Sequence, residues 1–334
     1  MDYLNALVTF LNFVFVPALS YGSQLAIGAL GVTLIYAVLR FSNFAWGDTM
    51  AFGTGIVILT TWWFQSLGIS AGPLPTALLA LPIGFVATAA LMLITDKTVY
   101  QFYRRQKAKP IIMVIVSAGV MFVMNGVVRL IIGTEEQNFS DGARFVVSAQ
   151  QFKDWSGLAE GLAIKTTTAV TLLTALVTMA ALFWFLQKTR TGKSMRAFSD
   201  NEDLALLSGI NPDRVVQVTW VIAAALAVIA GSLYGLDKSF RPLIYFQLLL
   251  PIFASAVVGG LGSPMGAVAG AYVVAFSEVV VTYAWKKVLG YLLPASMAPD
   301  SLMQLLSTDY KFAVSFSILI IVLLFMPTGL FKGK

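Results

Sequence analysis

TTTAVTLLTALVTMAALFWFL (Thr166–Leu186), then RTGKSMRAFSDNEDLALLSGINPDR (Arg190–Arg214), then VVQVTWVIAAALAVIAGSLYGL (Val215–Leu236) set a dense charged segment between two stretches with no Asp, Glu, Lys or Arg. Each uncharged stretch supplies the roughly 20 apolar residues that a helix needs to cross a hydrocarbon core, and Leu74–Ile94 does the same. Outer-membrane strands would be about ten residues of alternating polarity, and these runs do not alternate. The passage therefore predicts an all-α, polytopic membrane helical bundle with one structured element facing water.

Composition agrees. Of 334 residues, 58% are hydrophobic and 11% charged, where soluble domains carry roughly 25% charged residues. The chain has no Cys, which excludes disulfides, thiol nucleophiles and thiolate metal sites. It has no His, which removes the commonest metal ligand and the usual general base. No catalytic residue and no metal site is assigned, and an intramembrane enzyme is the least favoured class. The net charge of +6 lies in loops, so it reads as membrane topology rather than nucleic-acid binding.

Apolar periodicity and length give about nine crossings (eight to ten) in a single membrane domain over residues 1–334. Pro17 and Gly22 are expected to break the long run Tyr3–Leu39, leaving a first full span near Ser20–Leu39. Further spans are expected at Thr49–Phe64, Leu74–Ile94, Ile111–Ile132, Thr166–Leu186, Val215–Leu236, Gln247–Val258, Pro264–Trp285 and Phe312–Met326. Asp2 is the only early charge, so the N-terminus is not read as a cleaved signal. Basic residues fix the orientation. Lys97, Arg104, Arg105, Lys107 and Lys109 fill the loop 96–110, and Lys188, Arg190, Lys193, Arg196 and Arg214 fill 187–214. The positive-inside rule puts both loops, and a C-terminus holding Lys332 and Lys334, in the cytoplasm, with the N-terminus outside. Loops 133–165 and 286–310 then lie outside. The first holds Glu135, Glu136, Asp141, Asp154 and Glu160, and its Phe145-Val146-Val147 predicts local structure. The second, with Tyr291-Leu292-Leu293-Pro294, predicts an amphipathic helix.

Within 187–214, Ser199-x-x-Glu202 has capping-box spacing, Leu204–Leu207 favours helix, and Gly209 suits a left-handed helix end. Asn211-Pro212 restarts a helix into the next span. One or two short helices lying across the cytoplasmic surface are expected. Gly192-Lys193-Ser194 mimics the end of a phosphate-binding loop, but Gln187 stands where that loop needs Gly and no strand precedes it.

Four segments in register carry a resemblance. They are Met195-Arg196-Ala197 with Asn201, Ala205 and Gly209-Ile210-Asn211; Ser42-Asn43-Phe44-Ala45-Trp46-Gly47-Asp48; Asn125-Gly126-Val127-Val128-Arg129; and Gly259-Gly260-Leu261-Gly262-Ser263 followed by Gly266 and Glu278. In that order they resemble branched-chain amino-acid ABC importer permeases of the LivH type, with Trp46 where that family usually has His. The resemblance implies a transport subunit that is not itself an enzyme, sits in a bacterial inner membrane and binds no cofactor, with ATP held by partner subunits. It implies a second homologous permease, two cytosolic ATPase subunits and a periplasmic substrate-binding protein as partners, with lipid around the spans and no nucleic acid. It gives Met195, Arg196, Ala197, Phe198, Asn201, Glu202, Leu204, Ala205 and Gly209 an ATPase-coupling role, with Met195, Phe198, Leu204 and Leu207 filling a groove on the motor. Asn43, Phe44, Asp48, Gly259, Gly260, Gly262 and Glu278 become candidates for the translocation pathway.

The residues themselves leave alternatives open. Gly262-x-x-x-Gly266-x-x-x-Gly270 reads as close helix packing, or Gly259–Ser263 as a broken-helix turn whose amides hold a carboxylate. Asp48 is expected to cap its span and Arg129 to snorkel or to pair with Glu278. A urea or short-amide permease of the same family remains open, as does a stand-alone secondary transporter.

Overall fold

The computed structural model describes residues 1–139, 144–293, 301–326 and 328–331. Asp141, Pro294, Lys332 and Lys334, used above for loop charge and topology, lie outside the described residues.

The first helical rod is longer than expected. Helices α1 (Asp2–Phe10) and α2 (Val16–Leu39) join through a π-helical turn, Leu11–Phe15, into one 38-residue helix. Pro17 does not break it. A proline ring clashes with the carbonyl four residues back, here that of Phe13, and the wider π turn falls on that residue. Gly22 does not break it either; a Cβ there would meet the Tyr272 ring at 2.5 Å, so its bareness serves packing. The rod is the axis of the bundle, with 89% of its apolar window buried.

Around it stand α3 (Trp46–Ser66), α4 (Ala77–Thr95), α6 (Pro110–Ile132), α8 (Thr166–Lys188), α11 (Pro212–Asp237), α12 (Pro242–Gly259), α13 (Pro264–Thr282) and α15 (Lys311–Phe325). Among the described residues eight helices are long and apolar enough to cross a membrane. Helix α3 is the ninth long helix. Its Thr, Gly, Trp and Asp48 make it less apolar, and it is sheltered by α4, α6 and α11. Nine long helices are therefore present among the described residues, eight of them meeting the length and apolarity of a span where about nine crossings were expected, with boundaries shifted by a few residues; α4 runs on through a second π turn, Asp96–Tyr100, into α5 (Gln101–Arg105).

Close backbone approach sets the α12–α13 contact. A Cβ at Gly259 would lie 2.1 Å from the Gly266 carbonyl oxygen, and one at Gly270 would lie 2.2 Å from that of Ser255. Gly266 and Gly270 therefore pack, as small residues at such spacing do. Gly262, with φ +87° and open space around it, is a turn residue instead.

The two ends of the bundle differ. One carries α9 (Arg190–Asp200) and α10 (Glu202–Leu207), the turn 260–263 and the residues Thr328–Phe331, whose amides at Leu330 and Phe331 bond Val258 and Gly259. The opposite end carries α1, the strands β1 (Phe145–Val147) and β2 (Ile164–Lys165), α7 (Ala149–Ser156) and α14 (Lys286–Leu292). The antiparallel strands set Phe145 opposite Lys165 and Val147 opposite Ile164, which is the expected local structure in that loop. Among the described residues of 286–310, the expected helix forms over Lys286–Leu292.

Candidate functional site: the coupling end and the polar interior

At the end that carries α9 and α10, three helices begin on three side-chain caps. Thr189 accepts from the Gly192 amide, Asn201 from Leu204 and Asn211 from Arg214. Ser199 is not the cap its spacing predicted; it lies inside α9, and Asn201 takes the role because the chain turns extended there. Gly209 has φ +78° and ends α10 with its amide bonded to the Leu206 carbonyl, as expected.

Packing against the neighbouring helices decides which face of each turns inward. Met195, Phe198 and Ala205 are buried in the chain's own core, whereas Leu204, Leu206 and Leu207 are exposed. Met195 and Phe198 therefore cannot fill a partner's groove, which corrects the sequence expectation; their helical spacing marked a shared face, and that face is spent inside. Arg196, Ala197, Asn201, Glu202 and Gly209 lie on the exposed side. An open cleft of about 940 Å³ adjoins α9, lined among others by Arg40, Lys193, Arg196, Gly262 and Ser263.

Behind α9 the chain re-enters the bundle. Arg40 adopts a left-handed turn (φ +58°) at the end of α2, and its guanidinium donates to the Ser199 carbonyl on α9. Residues 41–45 then climb irregularly between helices. Backbone without regular pairing is tolerated at such depth only against protein or a water-filled cavity; here protein covers it. The Ala45 amide donates to Asn43 Oδ1 (3.1 Å), the Phe44 amide to Ser117 Oγ (3.1 Å), and Tyr100 hydroxyl to Asn43 Oδ1 (3.3 Å). The Tyr100 ring stacks on Trp220 at 5.4 Å and 15°, and lies 5.4 Å from Phe41. Asn43 is thus a buried turn organiser, and Phe44 is half exposed, 5.7 Å from Phe253. Sequence reading missed Tyr100 and Trp220, although two large amphipathic aromatics flanking the charged loops were a usable signal.

Asp48 does not cap α3. It is fully buried in the first turn, and its Oδ1 accepts from Asn125 Nδ2 at 2.7 Å, joining two of the four motif segments. Arg129 is exposed on α6, as a snorkelling residue would be, and does not pair with Glu278. Glu278, 2% exposed, instead accepts from Ser315 Oγ on α15, with the Tyr21 hydroxyl and Lys311 as electrostatic neighbours. Gly259 and Gly260 abut backbone at Gly266 and Phe331, leaving no room for a solute between them, whereas Gly262 and Ser263 border the open cleft. Among the described residues no cluster of Asp and Glu could hold a metal.

At the opposite end, Asn5 Oδ1 accepts from the amides of Ala159 and Glu160, and Asn12 Oδ1 from that of Ala163. Glu160 binds Lys287 Nζ at 2.8 Å and the Tyr291 hydroxyl at 2.6 Å. Partial burial acts to raise the Glu160 carboxyl, but the Lys287 ammonium and Tyr291 hydroxyl outweigh it and hold it below the usual carboxylate range. The same contact pushes Tyr291 up to about 12.

Comparisons with known proteins follow this geometry. A family model described as "Branched-chain amino acid transport system / permease component" matches residues 14–323. The high-affinity branched-chain amino acid transport system permease protein LivH of Escherichia coli is 30% identical over 316 residues, covering 92% of this chain and 91% of its own. BraD of Pseudomonas aeruginosa is 27% identical with 94% of each chain covered. A probable branched-chain permease, LivH of Methanocaldococcus jannaschii, is 28% identical over 272 residues, 80% of this chain and 79% of its own.

Proposed function

Because the chain belongs to the branched-chain amino acid transport system permease family, we propose that it is the membrane-spanning permease of an ATP-driven importer of branched-chain amino acids. ATP is hydrolysed by separate cytosolic subunits, and this chain contributes no catalytic site or bound cofactor. The observation that carries the reading is the exposed leucine edge, Leu204, Leu206 and Leu207, on the doubly capped helix α10, which buries its own Ala205 and follows α9 with its buried Met195 and Phe198. Apolar anchors on a rigid support are what a motor subunit can grip, with Arg196 and Glu202 at the rim setting register.

Force applied to α10 has a short route inward. Helix α11 follows through Asn211-Pro212 and carries Trp220, which stacks on Tyr100; Arg40 ties α9 to the re-entrant segment that starts α3. A tilt of the coupling helices therefore shifts α3 and α11 together, opening one end of the bundle as the other closes. The basic loops 96–110 and 187–214 lie at this end, which supports a cytoplasmic coupling end, a cytoplasmic C-terminus and a periplasmic N-terminus in an inner membrane. A second permease, two ATPases and a periplasmic binding protein that docks on the α1–α7–α14 platform complete the assembly.

The natural absence of Cys allows a direct test. Single cysteines at Leu204 or Leu207, carrying a short photo-crosslinker, are expected to trap the ATPase, whereas one at Trp155 on the opposite end is not. Uptake that continues in vesicles containing this permease and no ATPase would overturn the proposal.

A further inference from the structure

Glu278 is buried about one turn from the end of α13, and its environment is incomplete. One carboxylate oxygen accepts from Ser315; the other, Oε2, has no hydrogen-bond partner among the described residues. Lys311, at the start of α15, lies in the field of Glu278 but forms no ion pair with it within 4.0 Å. Its Nζ instead stands 5.8 Å from the centre of the Tyr21 ring and 4.7 Å from that of Phe312. On α2, both amide atoms of Gln24 are buried with no hydrogen-bond partner among the described residues, and the Tyr21 hydroxyl neighbours the Glu278 carboxyl. A carboxylate and an ammonium held near each other but apart, beside unused donors and acceptors, are costly in a membrane interior and mark functional ground.

We propose that Glu278 and Lys311, with the Tyr21 face, recognise the charged head of a zwitterionic α-amino acid at the end of the bundle away from the coupling helices. The solute ammonium takes Glu278 Oε2, the solute carboxylate takes Lys311 where it stands over the Tyr21 and Phe312 rings, and the aliphatic side chain needs no polar partner. Opposite charges set apart fit a molecule bearing both charges on one carbon, whereas urea and short amides offer neither. The inference rests on the permease reading and assigns the charged head of its solute to named residues.

The test uses the full chain in lipid nanodiscs without a binding protein, with tritiated L-leucine as probe. The competitors are 4-methylpentanoate, which lacks the ammonium, 3-methylbutylamine, which lacks the carboxylate, and urea. Wild-type protein is expected to bind leucine and to be displaced poorly by all three. Glu278→Gln should weaken leucine at least about tenfold and bring 4-methylpentanoate to parity with it, because the ammonium's partner is gone. Lys311→Met should do the same with 3-methylbutylamine. The double variant Glu278→Gln/Lys311→Met controls for folding: if it binds leucine like wild type while the single variants unfold, the two charges are only a structural pair and the site is refuted. Unchanged selectivity in folded single variants also refutes it. Leucine uptake by the complete importer separates the levels. Uptake without nanodisc selectivity removes the site and leaves the permease reading standing; no leucine uptake refutes the solute assignment and the site with it.

Discussion

Gly31, on the axial helix, permits the closest side-chain approach in the re-entrant region. A Cβ built there would sit 2.2 Å from both Cζ2 and Cη2 of Trp46, where ordinary contact begins near 3.4 Å. The indole would have to retreat by about 1.2 Å (3.4 less 2.2), yet Trp46 is 0% exposed and has nowhere to move. Overpacking of this kind costs about 1–3 kcal/mol, partly offset by the roughly 1 kcal/mol that alanine gains over glycine in a helix. Gly119 on α6 isolates the clash, since a Cβ there meets nothing within 4 Å. Gly119→Ala should stabilise, and Gly31→Ala should fall below it by the full clash term, about 1–3 kcal/mol. In a chain this long that corresponds to apparent melting midpoints separated by roughly 2–6 °C. The assay is thermal unfolding in detergent at one fixed scan rate, because membrane-protein unfolding is commonly irreversible. On a Trp46→Phe background the smaller ring should restore the alanine gain at position 31. Gly31→Ala and Gly119→Ala that melt together, or a deficit that survives Trp46→Phe, would refute the reasoning.

Leu207→Asp should abolish permease-stimulated ATPase activity while leaving the melting midpoint almost unchanged, since Leu207 is 85% exposed; Met195→Asp should lower the midpoint by tens of degrees or prevent folding, which circular dichroism would register. Trp220→Ala should keep ATPase binding but reduce uptake per ATP hydrolysed, measured in proteoliposomes, because the stack on Tyr100 is lost; Tyr100→Phe, losing only a 3.3 Å hydrogen bond, should do far less. The folded-state pKa of Glu160 is lowered, so its stabilisation is present above the unfolded carboxylate value near 4.3 and is lost as pH falls through the folded one. Melting of the wild type should therefore drop more steeply below about pH 4.3 than that of Glu160→Gln; parallel curves would rule this out.

Much of this was legible in the sequence because membrane insertion writes its demands locally. A span needs length and freedom from charge, so Thr166–Leu186 and Val215–Leu236 announce themselves, and Gly209 and Asn211-Pro212 mark helix ends by conformations few residues tolerate. Facing was harder to read. Met195 and Phe198 share a helical face in any reading, but which way that face turns is decided by tertiary packing against α2 and α11. Asp48 was misread for the same reason: an acid in a first turn usually caps, and only the distant Asn125 reveals the other use. Trp46 became intelligible only beside Gly31. Pro17 misled because a π turn, invisible to apolar periodicity, can absorb a proline without ending a helix.

At 1.5 Å per residue the helix Asp2–Leu39 is about 57 Å long, nearly twice a hydrocarbon core of about 30 Å. Its Asn5 clasps the hairpin on one side of the bilayer, and Arg40, just past its other tip, clasps α9 on the far side. A single piston rod thus touches both faces of the membrane. If the proposed function holds, cargo delivery and fuel consumption need no chain of messengers between them, since displacing either tip displaces the other. The one joint along its length is the π turn at Leu11–Phe15, so stiffening or softening that joint should set how faithfully each side hears the other.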